Sequence, residues 1–182
     1  MAIFFIEDRV KSETKTLISQ LKDMGVTPIL LTGDQEKTAR YVASQVGIER
    51  VIANCLPTDK ASIIQELQKE FASVGMVGDG INDAPALAQA NVSYAMGSGT
   101  DIAMESADIV LMEDLTRIPY SIRLSKKMRG IIKQNIIFAL SVIAVLIISN
   151  LFQSINLPLG VVGHEGSTIL VILNGLRLLY FK

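Results

Sequence analysis

The chain has 182 residues and a formal net charge of −1, a length that usually forms one domain or two small ones. The balanced charge gives no electrostatic reason to expect nucleic acid as a partner. The single cysteine, Cys55, excludes an internal disulfide and fits a reducing compartment. Hydrophobic residues make up 49% and the mean hydropathy is +0.40, and both values are high for a soluble globular protein.

Short apolar runs alternate with amphipathic stretches in the first two thirds of the chain. The apolar runs predict strands at 2–6, 27–31, 50–53, 73–78, 92–96 and 108–112. The stretches between them predict helices at 12–24, 35–46, 58–71, 83–90 and 100–106. This alternation predicts an α/β fold with a parallel sheet and helices on its faces. Ligands of such sheets bind at the carboxyl ends of the strands, so the residues after each strand are candidate site residues.

A possible phosphate-binding loop follows the strand at 27–31. Thr32, Gly33 and Asp34 stand where the next helix begins. A hydroxyl, a flexible glycine and a helix N-terminus can together hold a phosphate. Thr32 or Asp34 could instead serve as an ordinary helix N-cap.

The segment after the strand at 73–78 carries three oxygen-bearing side chains. Asp79, Asn82 and Asp83 lie within five residues around a glycine turn. Carboxylate and amide oxygens at a strand end are suitable ligands for magnesium. The alternative interpretation is an ordinary turn with helix capping.

Lys60 stands at the start of the helix predicted at 58–71. A cation at this end opposes the helix dipole, so an anionic ligand is one interpretation. A plain surface lysine is the other.

The last third of the chain is apolar. Between Gln134 and Leu176 the only formal charge is Glu165, so we divide the chain into a soluble domain, 1–130, and a membrane part, 131–182. The stretch 134–154 is long enough to cross a bilayer, which takes about 20 residues. A second apolar stretch, 157–180, completes a predicted transmembrane hairpin.

Basic residues flank both predicted spans, at Lys126, Lys127, Arg129 and Lys133 before the first and at Arg177 and Lys182 after the second. Positive residues at both ends predict a multi-pass protein of the cell membrane with both chain ends and the soluble domain in the cytoplasm. Two buried helices of a soluble protein are the alternative.

The second apolar stretch contains an ionisable pair, His164 and Glu165, followed by Ser167 and Thr168. Charge within a membrane is costly and usually functional. Imidazole and carboxylate groups suit borderline divalent ions such as cobalt, zinc or ferrous iron. A polar pair that snorkels or hydrogen-bonds a neighbouring helix is the alternative.

Several segments resemble one known family. The segments "LLTGDQEKTA", "LPTDK" and "MVGDGINDAPALAQA", followed by "MGSGTDIAMESADIVL", resemble the phosphorylation domain of P-type ATPases, which has the haloacid dehalogenase-like fold. The segments "KQNIIFAL" and "LNGLRLL" resemble the last two transmembrane helices of the heavy-metal-transporting branch. "HEGST" is similar to the HEGGT signature of the cobalt-type subgroup, which exports divalent ions such as cobalt, zinc, ferrous iron or nickel.

The resemblance implies a role for each candidate residue. Thr32 and Lys60 would contact an acyl-phosphate, and Gly33 and Asp34 would shape the loop. Asp79 would ligate magnesium, supported by Asn82 and Asp83. The residues implied to line the transport site are His164, Glu165, Ser167 and Thr168.

The chain also departs from the family pattern. Gln35 stands where Asn is common, and Ser167 replaces the second glycine of HEGGT. The nucleophilic Asp of a DKTG-like motif is absent, and so are the actuator domain and the earlier membrane helices. Asp8 follows an apolar run but lacks the Lys-Thr-Gly that should come next. The sheet should therefore lack its first strand and have a gap with an exposed edge.

We therefore expect the C-terminal part of a divalent metal efflux pump. Its partners would be membrane lipid, the transported metal and the missing N-terminal portion of the pump, and it would use ATP only within the complete pump. One alternative is a stand-alone, non-catalytic membrane remnant that binds metal or a partner pump. The other is a membrane-tethered phosphatase with Asp8 as nucleophile.

Overall fold

A computed structural model describes residues 12–112, 114–152 and 157–181 of the chain. The chain forms two compact units that meet in sequence between Pro119 and Tyr120. The predicted strand at 2–6 and Asp8 lie outside the described residues.

The first unit alternates helices and strands. Its elements are α1 (Ser12–Asp23), β1 (Ile29–Leu31), α2 (Glu36–Val46), β2 (Arg50–Ile52), α3 (Lys60–Glu70), β3 (Gly75–Gly78), a 3-10 turn (Ile81–Asp83), α4 (Ala84–Gln89), β4 (Val92–Met96), α5 (Asp101–Glu105) and β5 (Ile109–Leu111). Every described strand lies inside a stretch whose apolar run predicts one. All strand pairs are parallel, which confirms the predicted α/β fold.

The described strands form two sheets. Strands β1 and β2 pair with each other, and β3, β4 and β5 form a second sheet in that order. Among the described residues, no strand pairs with the edge of β1 that faces away from β2, or with the edge of β3 that faces away from β4. The gap in the sheet that the sequence predicts stays a prediction.

One hydrophobic core supports both sheets. Helix α3 contributes the buried residues Ile64 and Leu67 to the cluster that also contains Met76 of β3 and Leu87 of α4. The residues of β1 and β2 that pack against this cluster are Ile29, Leu31 and Ile52. Helix α3 therefore joins the loops after β1 and β2 to the site that follows β3.

The second unit is helical. Helix α6 (Arg117–Leu151) has 35 residues, α7 (Leu157–Leu176) has 20, and a 3-10 turn covers Arg177–Tyr180. The predicted span at 134–154 corresponds only to the apolar part of α6. The helix begins far earlier because the basic segment before it is also helical, and Pro119 in the first turn is compatible with a helix.

Helix α6 is the one helix of the described residues that is long and apolar enough to cross a bilayer. Its large side chains are mostly open to the surroundings, for example Leu140 (61% exposed) and Ile147 (63%). Helix α7 occupies most of the second predicted span, 157–180, and that second crossing stays a prediction.

Hydrogen bonds of asparagine side chains connect α6 and α7. Asn174 Nδ2 donates to Asn135 Oδ1 at 2.8 Å, and Asn135 Nδ2 donates to the carbonyl of Val171 at 3.3 Å. Further along the pair, a Cβ added to Gly163 would lie 3.4 Å from Leu146 Cδ2. Gly163 therefore lets α7 approach α6 closely just before His164, because small residues allow helices to come near each other.

Candidate functional site

The loop after β1 is held by short-range hydrogen bonds. Thr32 Oγ1 donates to Asp34 Oδ2 at 3.1 Å and accepts from the Asp34 amide at 3.1 Å. The Asp34 side chain is exposed while Thr32 is half-buried. The hydroxyl of Thr32 is thus fixed at the carboxyl end of the strand, where the sequence predicts a phosphate contact.

A second loop, after β2, fastens this first loop in place. The amide of Cys55 donates to the Thr32 carbonyl at 3.0 Å, and the amide of Asn54 donates to the Asp34 carbonyl at 2.9 Å. Asn54 has a positive φ of 54°, a conformation that asparagine tolerates better than most residues. A Cβ on Gly33 would lie 3.2 Å from the Cys55 carbonyl oxygen, so this contact favours glycine at position 33. The sequence alone does not predict that Asn54 holds the loop after β1.

Lys60 and Asp83 form a largely buried ion pair. Lys60 Nζ lies 2.6 Å from Asp83 Oδ1, and the two side chains are only 16% and 12% exposed. Lys60 is the first residue of α3 and Asp83 ends the 3-10 turn after β3. The pair thus joins two of the predicted site segments, and Lys60 is not a plain surface lysine.

Asp79 lines a cavity of about 300 Å³ beside the carboxyl end of β3. Its side chain is exposed. The other carboxylates that line this cavity belong to Glu13, Asp83 and Asp114. Asp83 is paired with Lys60, and the three remaining carboxylates create a negative potential that favours a cation.

Two glycines allow the backbone to pack tightly around this site. A Cβ on Gly78 would lie 2.7 Å from the Cβ of Asp83, and a Cβ on Gly99 would lie 2.5 Å from the carbonyl oxygen of Asp79. The amide of Thr100 also donates to that carbonyl at 3.0 Å. The turn at 96–100 therefore positions the backbone of Asp79. The sequence alone does not predict this role.

The donor set fits magnesium with one principal protein ligand. The carboxylate of Asp79 has no described bonding partner, and Asn82 is exposed. One oxygen of Asp83 is instead engaged by Lys60. Magnesium is commonly held by one or two carboxylates together with substrate phosphate oxygens and waters, so the unbonded carboxylate of Asp79 suits that ion.

The predicted transport residues lie together on α7. Ser167 Oγ and Thr168 Oγ1 both donate to the carbonyl of His164, at 2.6 and 3.3 Å. Their hydroxyl protons are thus used on their own backbone, which leaves their oxygen lone pairs as acceptors.

Helix geometry spreads these four residues over two adjoining faces. Residues three or four apart share a face, so Ser167 and Thr168 lie on the face of His164, and Thr168 also neighbours Glu165, which is on the adjoining face. No group of three or more His, Cys, Asp or Glu side chains in the described residues is arranged to hold a metal ion. An ion bound by His164 would need ligands beyond these α7 residues.

Comparison with known proteins assigns the class. Residues 1–91 match the haloacid dehalogenase-like hydrolase family, and the chain belongs to this family.

Close relatives narrow the resemblance to metal-transporting ATPases. The chain is 53% identical over 175 residues to a zinc-transporting ATPase of Bacillus subtilis (strain 168), covering 96% of this chain. It is 42% identical over 182 residues to a probable cobalt/nickel-exporting P-type ATPase of Mycolicibacterium smegmatis (strain ATCC 700084 / mc(2)155), covering 98% of this chain. The predicted resemblance to heavy-metal P-type ATPases is therefore confirmed.

A solved structure is similar across both units. The crystal structure of a zinc-transporting PIB-type ATPase in the E2.Pi state matches with a TM-score of 0.89 and 38% identity, covering 95% of this chain. The chain spans only 28% of that protein and 28% of each of the two relatives.

Proposed function

We propose that the chain is part of an ATP-driven efflux pump for a divalent transition metal such as zinc, cobalt or ferrous iron. In this pump it supplies the magnesium and phosphate-binding groups and part of the membrane metal site. The observation that carries the proposal is the buried Lys60–Asp83 pair beside the free carboxylate of Asp79, in a chain that also has a long apolar helix.

Each residue of the soluble site has a role in this proposal. Lys60 is the cation for the oxygens of the phosphorylated group, and Asp83 holds its ammonium in position. The hydroxyl of Thr32 donates to Asp34 in this structure, and it becomes a further donor to the phosphate when its single proton turns from Asp34 to a phosphate oxygen. Asp79 is the principal ligand of magnesium, which neutralises charge on a transferred phosphoryl group when it is bound. Positioning and charge stabilisation are the main work of a protein in phosphoryl transfer.

The phosphorylated residue itself lies elsewhere in the proposed pump. A DKTG-like motif is absent from the printed sequence, so the aspartate that receives the γ-phosphate of ATP belongs to another portion of the pump. That portion is the partner that this chain needs for catalysis.

The membrane site of the proposal is centred on His164. Its imidazole, with the oxygens of Ser167 and Thr168 on the same helix face, provides nitrogen and oxygen ligands for a borderline divalent ion. Glu165 supplies a carboxylate on the adjoining face, directed to a neighbouring part of the pump. We place α6 and α7 as two membrane spans, with the soluble domain and both chain ends in the cytoplasm.

Substitutions in the complete pump test the membrane site. We expect His164→Ala and Glu165→Ala to abolish metal-stimulated ATP hydrolysis in reconstituted pump, measured with zinc, cobalt and ferrous iron in turn. Val162→Ala is the matched control, because Val162 is a 68% exposed residue of the same helix. If stimulation survives in both variants with unchanged metal affinity, the pair is structural.

The alternative is a stand-alone membrane protein that binds metal or a partner pump. The missing DKTG-like motif in this sequence favours it. An antibody against the C-terminal segment, used on native cells, separates the two proposals. A band several times larger than 19.8 kDa supports an intact pump, and a band near 19.8 kDa supports the stand-alone protein.

A further inference from the structure

Four cations of α6 stand directly before its apolar segment. Lys126, Lys127, Arg129 and Lys133, here called the basic collar, are all exposed. In the part of the chain that the structure describes, none of them has an ion pair or a hydrogen bond. Glu165 is the only acidic residue after Asp114 in the sequence. The four cations of the collar therefore outnumber the acidic residues of their unit, of which the sequence has one.

Lys133 and Arg129, the two collar residues nearest the apolar segment, lie close enough to it along the helix for their side chains to reach the lipid headgroups. Lys133 precedes Ile136, the start of the apolar segment, by three residues, which is about 4.5 Å of helix. Arg129 stands about 10 Å before Ile136. The headgroup layer on each side of a bilayer is roughly 5–7 Å thick, and the long side chains of Lys and Arg can reach into it. Lys126 and Lys127 lie farther out, within about one Debye length of that layer.

The surface around Arg129 and Lys133 is both cationic and apolar. A groove on α6 is lined by Arg129, Gly130, Ile132, Lys133, Ile136 and Ile137. Gly130 leaves open space, since a Cβ there would meet no atom within 4 Å. Arg129 and Lys133 are four residues apart and share one face. An anionic headgroup matches the two cations and its acyl chain matches the isoleucines, whereas an acidic peptide would match the cations alone.

We infer that the basic collar binds the headgroups of anionic phospholipids in the leaflet that surrounds the start of the apolar segment. Arg129 and Lys133 contact the lipid phosphates, and Lys126 and Lys127 add attraction at longer range. The inference rests on the membrane placement of α6 in the proposed function. In a cluster of four to eight cations beside a membrane span, each cation near the surface contributes about 1 kcal/mol of attraction to anionic lipid. Anionic lipid is therefore favoured over neutral lipid at this position.

Tryptophan fluorescence tests the inference, because the chain contains no tryptophan. Ile136→Trp places one reporter just below the collar, and Leu151→Trp places another at the far end of α6, where the side chain is 78% exposed. The whole chain is reconstituted in mixed phosphatidylcholine and phosphatidylglycerol bilayers in which one of the two lipids is brominated. At position 136 we expect brominated phosphatidylglycerol to compete about five-fold better than phosphatidylcholine, the equivalent of one cation near the surface. At position 151 we expect no preference.

Variants identify the source of the preference. Arg129→Gln with Lys133→Gln should remove most of it, whereas Lys37→Gln with Lys69→Gln, which neutralises two exposed lysines of the first unit, should leave it unchanged. Raising the salt concentration to 1 M should weaken the preference in the unaltered collar, which tests the charge effect without any substitution of the collar. Quenching at position 151 reports whether each variant is inserted.

Three results would overturn the inference. Equal quenching by the two lipids at position 136 would mean that the collar does not select anionic headgroups. A preference that survives both the double glutamine variant and high salt would have another source. Absence of quenching by either lipid at both positions would contradict the membrane placement of α6 as well.

Discussion

Gly78 is required where Asp83 fills the space that a side chain would occupy. A Cβ at position 78 would lie 2.7 Å from the Cβ and 2.9 Å from the Oδ2 of Asp83. Asp83 must then move, and its bond to Lys60 is lost or strained. We predict that Gly78→Ala lowers the free energy of unfolding by about 1–3 kcal/mol, the usual cost of overpacking, as measured by urea unfolding followed by circular dichroism.

The same strand offers a matched control. A Cβ on Gly75 would lie 3.7 Å from the nearest atom, the Val92 carbonyl oxygen, which is an ordinary contact. Gly75→Ala should therefore change stability by less than about 1 kcal/mol. Equal losses in the two variants would show that the contact with Asp83 is not the cause.

The Lys60–Asp83 pair gives a second prediction at the scale of single residues. Lys60→Met leaves a mostly buried carboxylate without its cation, and breaking such a pair typically costs about 3–5 kcal/mol. Asp83→Asn should cost less because the amide oxygen still accepts a bond from Lys60. The double variant should recover part of the loss, since no unpaired charge remains. Urea unfolding of the four proteins completes the cycle.

An exposed pair provides the comparison for this cycle. Arg40 and Glu36 lie 2.6 Å apart on α2 with 63% and 59% of their side chains exposed. Surface pairs of this kind contribute about 0.3–0.5 kcal/mol, so Arg40→Met should be nearly neutral. If Lys60→Met proves equally mild, the Lys60–Asp83 pair is open to water and contributes no more than a surface pair.

At the scale of secondary structure elements, Asp108 links the start of β5 to β4. Its Oδ2 accepts from the amide of Ser93 at 2.8 Å and from the Ser93 hydroxyl at 2.9 Å. These two hydrogen bonds, the backbone one first, lower the pKa of Asp108 from its ordinary value. The charged form of the carboxylate is thus favoured in the folded chain.

This lowered pKa predicts how stability depends on pH. A carboxyl group whose pKa is lower in the folded than in the unfolded chain stabilises the fold above its unfolded pKa of about 3.9. The contribution is lost as the pH falls through the folded pKa. Asp108→Asn should therefore be less stable than the parent at pH 7, and the difference should shrink below about pH 4. A difference that stays constant from pH 7 to pH 2.5, measured by urea unfolding, would contradict this account.

The Asn135–Asn174 bond predicts coupling between α6 and α7. Hydrogen bonds between membrane helices contribute about 0.6 kcal/mol on average and up to about 1.7 kcal/mol. We expect a coupling energy in this range from Asn135→Ala, Asn174→Ala and the double variant, measured by thermal unfolding in detergent. Asn150→Ala is the control, because Asn150 is an exposed residue of α6 without a described partner. Additive losses from Asn135 and Asn174 would mean that their bond contributes nothing.

The elements were predictable from sequence because local pattern decides them. The described strands lie inside their predicted stretches, where continuous apolar runs indicate burial on both faces of a parallel sheet. The positive φ of Asn54 and the contact of Gly99 with Asp79 depend on loops that meet only in the folded chain. The bond from Lys60 to Asp83, 23 residues apart, is likewise set by tertiary packing through α3. Helix α6 begins well before its apolar segment because charged residues also form helix, which an apolar pattern does not register.

At the scale of the whole molecule, the chain combines parts of the two proposed sites, one in the first unit and one on α7. Its first unit holds Lys60, Asp79 and Asp83 beside a cavity of about 300 Å³, and the free edges of β1 and β3 in the described residues could each accept another strand. The candidate ligands on α7 likewise need further ligands from elsewhere to hold a metal ion. Both sites are consistent with a chain that spans 28% of its relatives.

This incompleteness predicts the activity of the isolated chain. Its sequence has groups that we propose to bind phosphate and magnesium, but no DKTG-like aspartate to receive a phosphoryl group. We therefore expect no magnesium-dependent release of phosphate from ATP by the purified chain in detergent or bilayers, at any concentration of zinc, cobalt or ferrous iron. The complete pump, assayed in parallel, should hydrolyse ATP in response to metal.

Variants make that expectation decisive. Turnover that disappears in Asp79→Asn would contradict it, because the activity would then belong to this site rather than to a contaminant. If such turnover also disappears in Asp8→Asn, the chain is the membrane-tethered phosphatase, with Asp8 as its nucleophile. p-Nitrophenyl phosphate is the second substrate for this comparison, since a phosphatase accepts a simple phosphate ester and the pump's partial site, which has no acceptor for the phosphoryl group, should not.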